Sequence, residues 1–491
     1  IRKDVVMKKR SKKEEKQLQE EIQKYANEPR SIRRKKEREL KKEYQDKDIT
    51  IKSGKKFKKT KEPLTRKQRR ILLKDQNLLR EILKIIRKYF PQLENLFSKL
   101  TDKRHKSYIT YKMRTIIMIR LLSLICGITT MKGINQKFNT DEAIQNLSSI
   151  CNQELKEVPD WQTIQDVIET LSIEEIEDIR KYMVKALIRS KMFDRFRYKG
   201  AIQVLVDATG LSSHDYNLNG NCISKTKNGV TKYYKYVLEA KIVFGNIVIS
   251  IDSEWIENKE LNNENDKQDC EINAFKRMAP RLKKNFPKLK FIITGDALYA
   301  TTPIINICKE NKWYYIFNLK KDRLKNVYEQ FTDNINYYNE TKKENYYLSK
   351  NIEFNGNVFD VFKYIETTNN KTTTFHYISN LNIKDNNIEE IVNMGRRRWK
   401  IENEGFNQQK NGTFCISHVS SRHIVGLKIQ YYLIQIAHII RQLLEYGSIL
   451  LKEMRGISKK EVSSQIFTTL TSNTISNFNC LDLNFQLRFD D

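Results

Sequence analysis

The spacing of apolar residues divides the chain into stretches of different period. From about residue 74 to 195 the period is helical. Leu78, Leu79, Ile82, Leu83, Ile85 and Ile86 recur at helix spacing, and Met113 to Ile128 (MRTIIMIRLLSLICGI) is apolar almost throughout, as in a buried helix. Thr140 before Asp141-Glu142, and Ser172 before Ile173-Glu174-Glu175, read as helix starts, because a hydroxyl there can accept from an unpaired backbone N–H. Near residue 200 the period shortens. Ala201 to Val206 (AIQVLV) is a strand-length run ending in Asp207-Ala-Thr-Gly. Val237 to Phe244 and Ile247 to Ile251 are two further strands, separated by the hairpin signal Gly245-Asn246. A helix over Asp269 to Lys284 follows, then the run Phe291 to Thr294 (FIIT) ending in Gly295-Asp296, a helix over Thr301 to Asn311 and a strand over Trp313 to Asn318.

Residues 325–382 alternate in short runs, with Asn355-Gly356-Asn357 as a turn, and read as an inserted antiparallel β unit. Ile388 to about Gln409 is helical again, and Leu427 to Glu445 is a long apolar helix. The pattern therefore predicts a basic, flexible arm at 1–73, an all-α DNA-binding or dimerisation region at 74–198, an α/β domain at 199–455 with its β insertion at about 325–382, and a Ser/Thr/Asn-rich polar tail at 456–491. Within the arm, Ser31 to Tyr44 has helical character but no broad face to bury.

Charge changes the picture most. Lys plus Arg number 90 against 60 Asp plus Glu, a net charge of +30, and such a field attracts polyanions, of which nucleic acid is the commonest large one. A lysine-rich proteome is the bland alternative. The seven cysteines lie singly with no C-x-x-C pair, which fits a reducing cytoplasm rather than a disulfide framework. Cys415, His418 and His423 offer only three ligands at a spacing poor for zinc. No run reaches the ~18 apolar residues of a membrane span, and the N-terminus has no apolar signal core. The expectation is a cytoplasmic protein with no membrane partner.

The candidate chemistry rests on acids. Asp207 and Asp296 each follow a short apolar strand, where ligand sites of open α/β sheets lie. Neighbouring carboxylates repel unless protonated or bridged by cations, and a hard divalent ion is the natural bridge. Two such ions can activate an attacking oxygen and stabilise a leaving one in phosphoryl transfer. Taken singly, each Asp reads first as a turn or cap residue and only second as a ligand. The third element is Arg396-Arg397-Arg398-Trp399-Lys400-Ile401-Glu402, on a helix past the β insertion. Arg398 and Glu402 fall about 40° apart and share a face, and Lys410 falls about 80° from Glu402 if the helix continues. A surface ion pair is the alternative for Arg398 and Glu402. Trp399 reads as core, Asp252 and Glu254 as a solvated strand face, and Asp269 and Glu271 as helix-start acids, with a place near the site as their alternative.

These pieces resemble the DDE transposases of bacterial insertion sequences, in the broad IS4-like group. The resemblance lies in VLVDATGL (204–211), YYKYVLEAKIV (233–243), ISIDSEWIEN (249–258), KQDCE (267–271), TGDALYA (294–300), RRRWKIENEGFNQQKNG (396–412) and QIAHIIRQLLE (435–445), and covers roughly 105 to 447. It implies an RNase H-like mixed sheet flanked by helices, with a β insertion before the last acidic helix. It implies Asp207, Asp296 and a Glu of the last motif as catalytic metal ligands, two Mg²⁺ ions (Mn²⁺ being possible), and Arg398 and Lys410 on DNA phosphates. Its partners would be double-stranded DNA, at transposon ends and target, and a second copy of the chain in a synaptic homodimer. The family pattern Tyr-x₂-Arg-x₃-Glu-x₆-Lys is met at Arg398 and Glu402. Gly395 stands at the Tyr position and Gln409 at the Lys position, with Lys410 one residue late. Glu404 is a rival to Glu402; lying about 160° around the helix from it, it cannot share the same site, and the common face with Arg398 favours Glu402. The other functions considered are a non-catalytic or domesticated DNA-binding protein and a nuclease that only hydrolyses.

Overall fold

Strand β1 (Ile202–His214) is the spine of a mixed sheet. It pairs in parallel with β5 (Phe291–Gly295) from Ile202 to Leu205, and antiparallel with β3 (Val230–Phe244) from Val204 to His214. The first half of β3 also pairs with β2 (Ile223–Lys227) and its second half with β4 (Ile247–Ile256). On the other side β5 runs parallel to β6 (Tyr314–Asn318). Antiparallel strands β10 (Lys371–Ser379), β9 (Asn357–Thr368), β8 (Glu344–Phe354) and β7 (Tyr337–Glu340) extend that edge. The ten strands form one sheet in the order β2-β3-β1-β5-β6-β10-β9-β8-β7, with β4 also on β3. This is α/β architecture with a mixed sheet, an antiparallel insertion and flanking helices, the RNase H-like class that the resemblance implies.

The computed structural model describes residues 65–489 apart from 259–266, 334–336, 341–343, 369–370, 454–455 and 473–480. Before residue 65 only 21, 23, 24, 36 and 39 are described, so most of the basic arm, including most of the stretch 31–44, lies outside the described residues.

Among the described residues from 65 onward, eight α-helices precede the sheet: α1 (Arg66–Lys74), α2 (Leu78–Tyr89), α3 (Leu93–Ser98), α4 (Met113–Ile125), α5 (Lys132–Phe138), α6 (Asp141–Cys151), α7 (Trp161–Thr170) and α8 (Ile173–Arg189). Their caps are those the sequence signals: the Thr140 side chain accepts from Ala143 N and that of Ser172 from Glu175 N. Helix α9 (Glu271–Asn285) packs on β3 and β4, and α10 (Thr302–Glu310) on β6 and β9. A short helix, α11 (Lys325–Asp333), opens the insertion, which the sequence had read as strands alone.

After the insertion come α12 (Ile388–Arg396), a π turn (Ile401–Asn407), α13 (Gln408–Asn411), the long α14 (Ile424–Gln442), α15 (Ile449–Glu453) and α16 (Lys459–Thr471). Alternate residues of β4 show that α9 and α14 cover opposite faces: Asp252 bonds Arg281 of α9, whereas Ser253 joins Glu239, which also bonds Tyr431 of α14. One hydrophobic cluster runs from Leu73 through the sheet to Leu470 and Phe489, so the helices before residue 198 and the sheet after it share a core. Helix α16 lies in the stretch read as a polar tail. Val462, Ile466 and Leu470 form a narrow apolar stripe among Ser, Thr and Gln, and Ser458 with Glu461 makes a capping box.

Candidate active site

Asp207 does not end a strand. The apolar run AIQVLV stops where the parallel partner β5 stops, but β1 continues to His214 because β3 accompanies it. Asp207 therefore sits in mid-strand at the rim where β5 ends, on rigid backbone. Its Oδ1 accepts from Ala208 N at 3.0 Å. Asp296 is the first residue past β5. Its Oδ1 accepts from Leu298 N at 2.8 Å and its carbonyl from Tyr299 N at 3.2 Å, which fixes the turn. Gly295 is required here, since a Cβ would stand 2.7 Å from the Tyr299 ring.

The third element arrives from α12 and the π turn. Arg398 Nη1 lies 3.4 Å from Asp207 Oδ2 and 3.1 Å from Glu402 Oε1, so one guanidinium spans both acids. Arg398 is largely buried while the Glu402 side chain is 54% exposed, which leaves Glu402 at the solvent side of the group. Glu404 points elsewhere, accepting from Tyr446 Oη at 2.9 Å.

Electrostatics extends the group. Burial raises the Asp207 carboxyl to about 7, against the pull of Arg398 and with the push of Glu271, Glu402 and Asp296. The Arg398 contact alone would lower it; removal from water and three like charges outweigh one cation at 3.4 Å. Glu271 is raised too, by burial first and then by Asp296, with Tyr299 Oη 3.4 Å away donating to it. Sequence reading assigned Glu271 to a helix start. It is the first residue of α9, and that helix end also delivers it to the rim.

Lys410 reaches the same place by an irregularity. Its amine is lowered by burial and raised again by Asp207, so it lies within that acid's field. Gln409, at the family's Lys position, is fully buried and donates to Gln435 Oε1 at 2.8 Å and His438 Nδ1 at 3.0 Å. The π turn supplies the reason. Its i→i+5 ring holds one more residue than an α turn, so the extra residue between Glu402 and Lys410 is absorbed locally. Ile401 and Phe406 anchor the inner face of the turn against Leu205, Val243 and Val248.

Three sequence readings need correction. Trp399 is not core; it is 57% exposed, because Ile401 and Phe406 take the inward face of this segment. Asp252 and Glu254 do not face solvent. Asp252 is buried and paired with Arg281 at 2.8 Å, and Glu254 pairs with Arg277 and Arg281. Alternation along β4 marked one face as polar, and α9 covers that face with arginines.

Among the described residues, no group of three or more His, Cys, Asp or Glu is drawn together closely enough to hold a metal ion. The donor chemistry nevertheless fits a hard divalent cation. The rim gathers carboxylate oxygens, and the burial and like charges that raise Asp207 are a cost that a bound cation relieves.

Residues 265–440 match the family model described as a transposase DDE domain, and residues 94–183 match the model described as DDE_Tnp_1-associated. The first stretch contains Asp296, Arg398, Glu402 and Lys410; Asp207 lies upstream of it. No curated protein matches the chain.

Proposed function

The chain belongs to the DDE transposases, and on that premise we propose that it cuts transposon ends and joins them to target DNA in a metal-dependent, cut-and-paste reaction. The observation that carries this reading is the arginine bridge between Asp207 and Glu402, at a rim shared with Asp296. Transposases of this family generally use divalent metal ions, and Asp207, Asp296 and Glu402 are the residues that would hold them, Mg²⁺ or Mn²⁺. Bound there, two such ions would supply Lewis acidity at the attacking and leaving oxygens.

The remaining work falls to the chain. Asp207 and Asp296 sit on backbone held by β1, β5 and the Asp296 turn, which fixes the scissile phosphate against one rigid rim. Arg398 presents a planar set of N–H donors suited to phosphate oxygens, and Lys410 adds a point charge beside it. In the first step a water oxygen would attack the phosphorus and the 3′ oxygen of the transposon strand would leave. In the second, that 3′-OH would attack a target phosphorus and displace the target's own 3′ oxygen. The partners are duplex DNA, at ends and target, and a second copy of the chain bridging two ends. The insertion-sequence, IS4-like grouping belongs to the same proposal. Among the described residues no helix is long and apolar enough to cross a membrane.

The test is cleavage and strand transfer on DNA carrying the inverted repeats that bracket the gene. Asp207→Asn protein that still cuts such an end in Mg²⁺ would sink the assignment. Cutting by the wild type without joining of a 3′-OH donor would leave a nuclease instead.

A further inference from the structure

Beyond Asp207 the sheet does not stop. Strand β1 runs on from 207 to 214, roughly 20 Å at about 3.3 Å per residue, with β3 and then β2 beside it. The outermost part is the two-stranded hairpin of β2 and β3. It closes on Asn228 (φ 51°) and Gly229 (φ 75°), the left-handed pair that a tight hairpin turn requires. Gln268 fastens the base of the hairpin, accepting from Ser224 N at 2.7 Å and donating to Ser224 O at 3.1 Å.

One face of this ribbon has an unusual cost. Register places Lys225 opposite Lys232 and Lys227 opposite Val230, with Tyr234 next in line opposite Ile223. The three lysines are exposed, and like charges directly opposite destabilise a strand pair. Among the described residues no carboxylate forms an ion pair with any of them. Lys225 instead stands 5.6 Å over the Tyr234 ring and 4.9 Å over the Tyr236 ring, and donates to Tyr236 Oη at 2.9 Å. The aromatic rings thus hold the amine in place at the surface. This face also adjoins the rim: Lys225 is close enough to Glu271 to favour its charged form, and Glu271 in turn feels Asp296.

We infer that the β2–β3 ribbon is a docking surface for duplex DNA, gripping the stretch that flanks the scissile phosphate. The inference rests on the transposase reading above and adds to it the surface that holds the substrate. Charge complementarity argues for the occupant, since like charges on one face, without an ion pair among the described residues, are relieved by a polyanion. Shape argues for a duplex, because the major groove of B-DNA admits a two-stranded ribbon. Position argues for the flank, because DNA lying on the carboxylate rim must pass alongside a ribbon rising from it.

The test is titration of a fluorescein-labelled, mixed-sequence duplex with full-length protein over a range of salt. Each phosphate contact contributes about 0.9 to the slope of log affinity against log salt. The triple variant Lys225→Ala/Lys227→Ala/Lys232→Ala is compared with Lys284→Ala/Lys288→Ala/Lys290→Ala. The second set removes the same charge from exposed positions before the far end of β5. The ribbon variant is expected to bind about 10- to 100-fold more weakly at moderate salt, with a slope flatter by about 2 to 3, while the control stays near wild type. Equal losses in both, or no loss in the ribbon variant, overturn the inference and leave the transposase reading standing. Wild-type protein that binds no duplex at any salt defeats that reading itself. Should the triple variant melt early, Lys227→Ala alone, at the exposed tip, reads the same change at about one contact.

Discussion

Asp207 and Glu239 are register partners across β1 and β3, two carboxylates side by side on one sheet face, and their surroundings could hardly differ more. Glu239 is fully buried. It accepts from Ser253 Oγ and from Tyr431 Oη at 2.5 Å, faces Lys241 at 3.6 Å, and lies in the field of Arg180. Two hydroxyls and two cations compensate its charge, although its Oε2 accepts no hydrogen bond. Asp207 has one backbone donor, one guanidinium shared with Glu402, and three further acids around it. Both lie largely out of water; what separates the structural acid from the candidate site acid is the lack of fixed compensation. A carboxylate left short of partners on a rigid strand is free to take a cation.

The largest expected effect separates the pair by activity. Asp207→Asn should lower end cleavage by on the order of 10²-fold or more while the protein stays folded. A fall of less than tenfold would break the contrast. Next comes stability. Glu239→Ala leaves Lys241 and Arg180 with a buried deficit of charge, and urea unfolding should show a loss of about 3 to 5 kcal/mol. A loss below about 1 kcal/mol would mean that the compensation seen around Glu239 is not what holds it.

The pH dependence has the sign set by Asp207. Its folded value, about 7, lies above the unfolded carboxyl, so the native state binds the extra proton between the two. The stabilisation is therefore complete below the unfolded value, near 4, and is lost as pH rises through about 7. Metal-free wild type should melt at a lower temperature at pH 8 than at pH 5, by more than Asp207→Asn does. Identical pH slopes for the two proteins would refute the shift.

Smaller effects refine the π turn. Exchanging Gln409 and Lys410 keeps composition but sends the amine toward Gln435 and His438. Strand transfer should fall about tenfold, and a gain would show that the helix is in α register instead. Glu404→Gln, next to Tyr446, should change cleavage by less than about threefold; a loss as large as that of Glu402→Gln would return Glu404 to candidacy.

Much of the fold was legible because period and turn chemistry are local. The strands around Gly245-Asn246, the helix starts at Thr140 and Ser172, and the β insertion all carry their own signals. Strand β2 was missed although Asn228-Gly229 is as plain a hairpin signal as Gly245-Asn246. Its residues, Ile223 to Lys227, are too polar to show a strand period. Helix α16 was missed for the same reason.

Within the candidate site, the helical spacing of Arg398 and Glu402 put both on one face, and the structure brings both to Asp207. The reach of Lys410 could not be read from spacing. An ideal helix rotates each residue by a constant step, and the π turn changes that step for one turn only. Glu271 was visible as a helix start, but nothing in KQDCE says which helix end meets which strand end.

What the sequence by itself determined about this protein is therefore what neighbours along the chain decide: strand and helix periods, hairpin turns, the positive excess, and the ordered acidic motifs of a DDE transposase. What only the tertiary structure decided is the company each acid keeps. Asp207 follows the apolar run VLV and Glu239 lies within VLEAKIV, each an acid among apolar neighbours. Tyr431 and Arg180, from helices far away in sequence, close around one of them, while the end of β5 leaves the other open. Solvation and charge compensation depend on distance in space, and they are fixed when the core of sheet and helices closes.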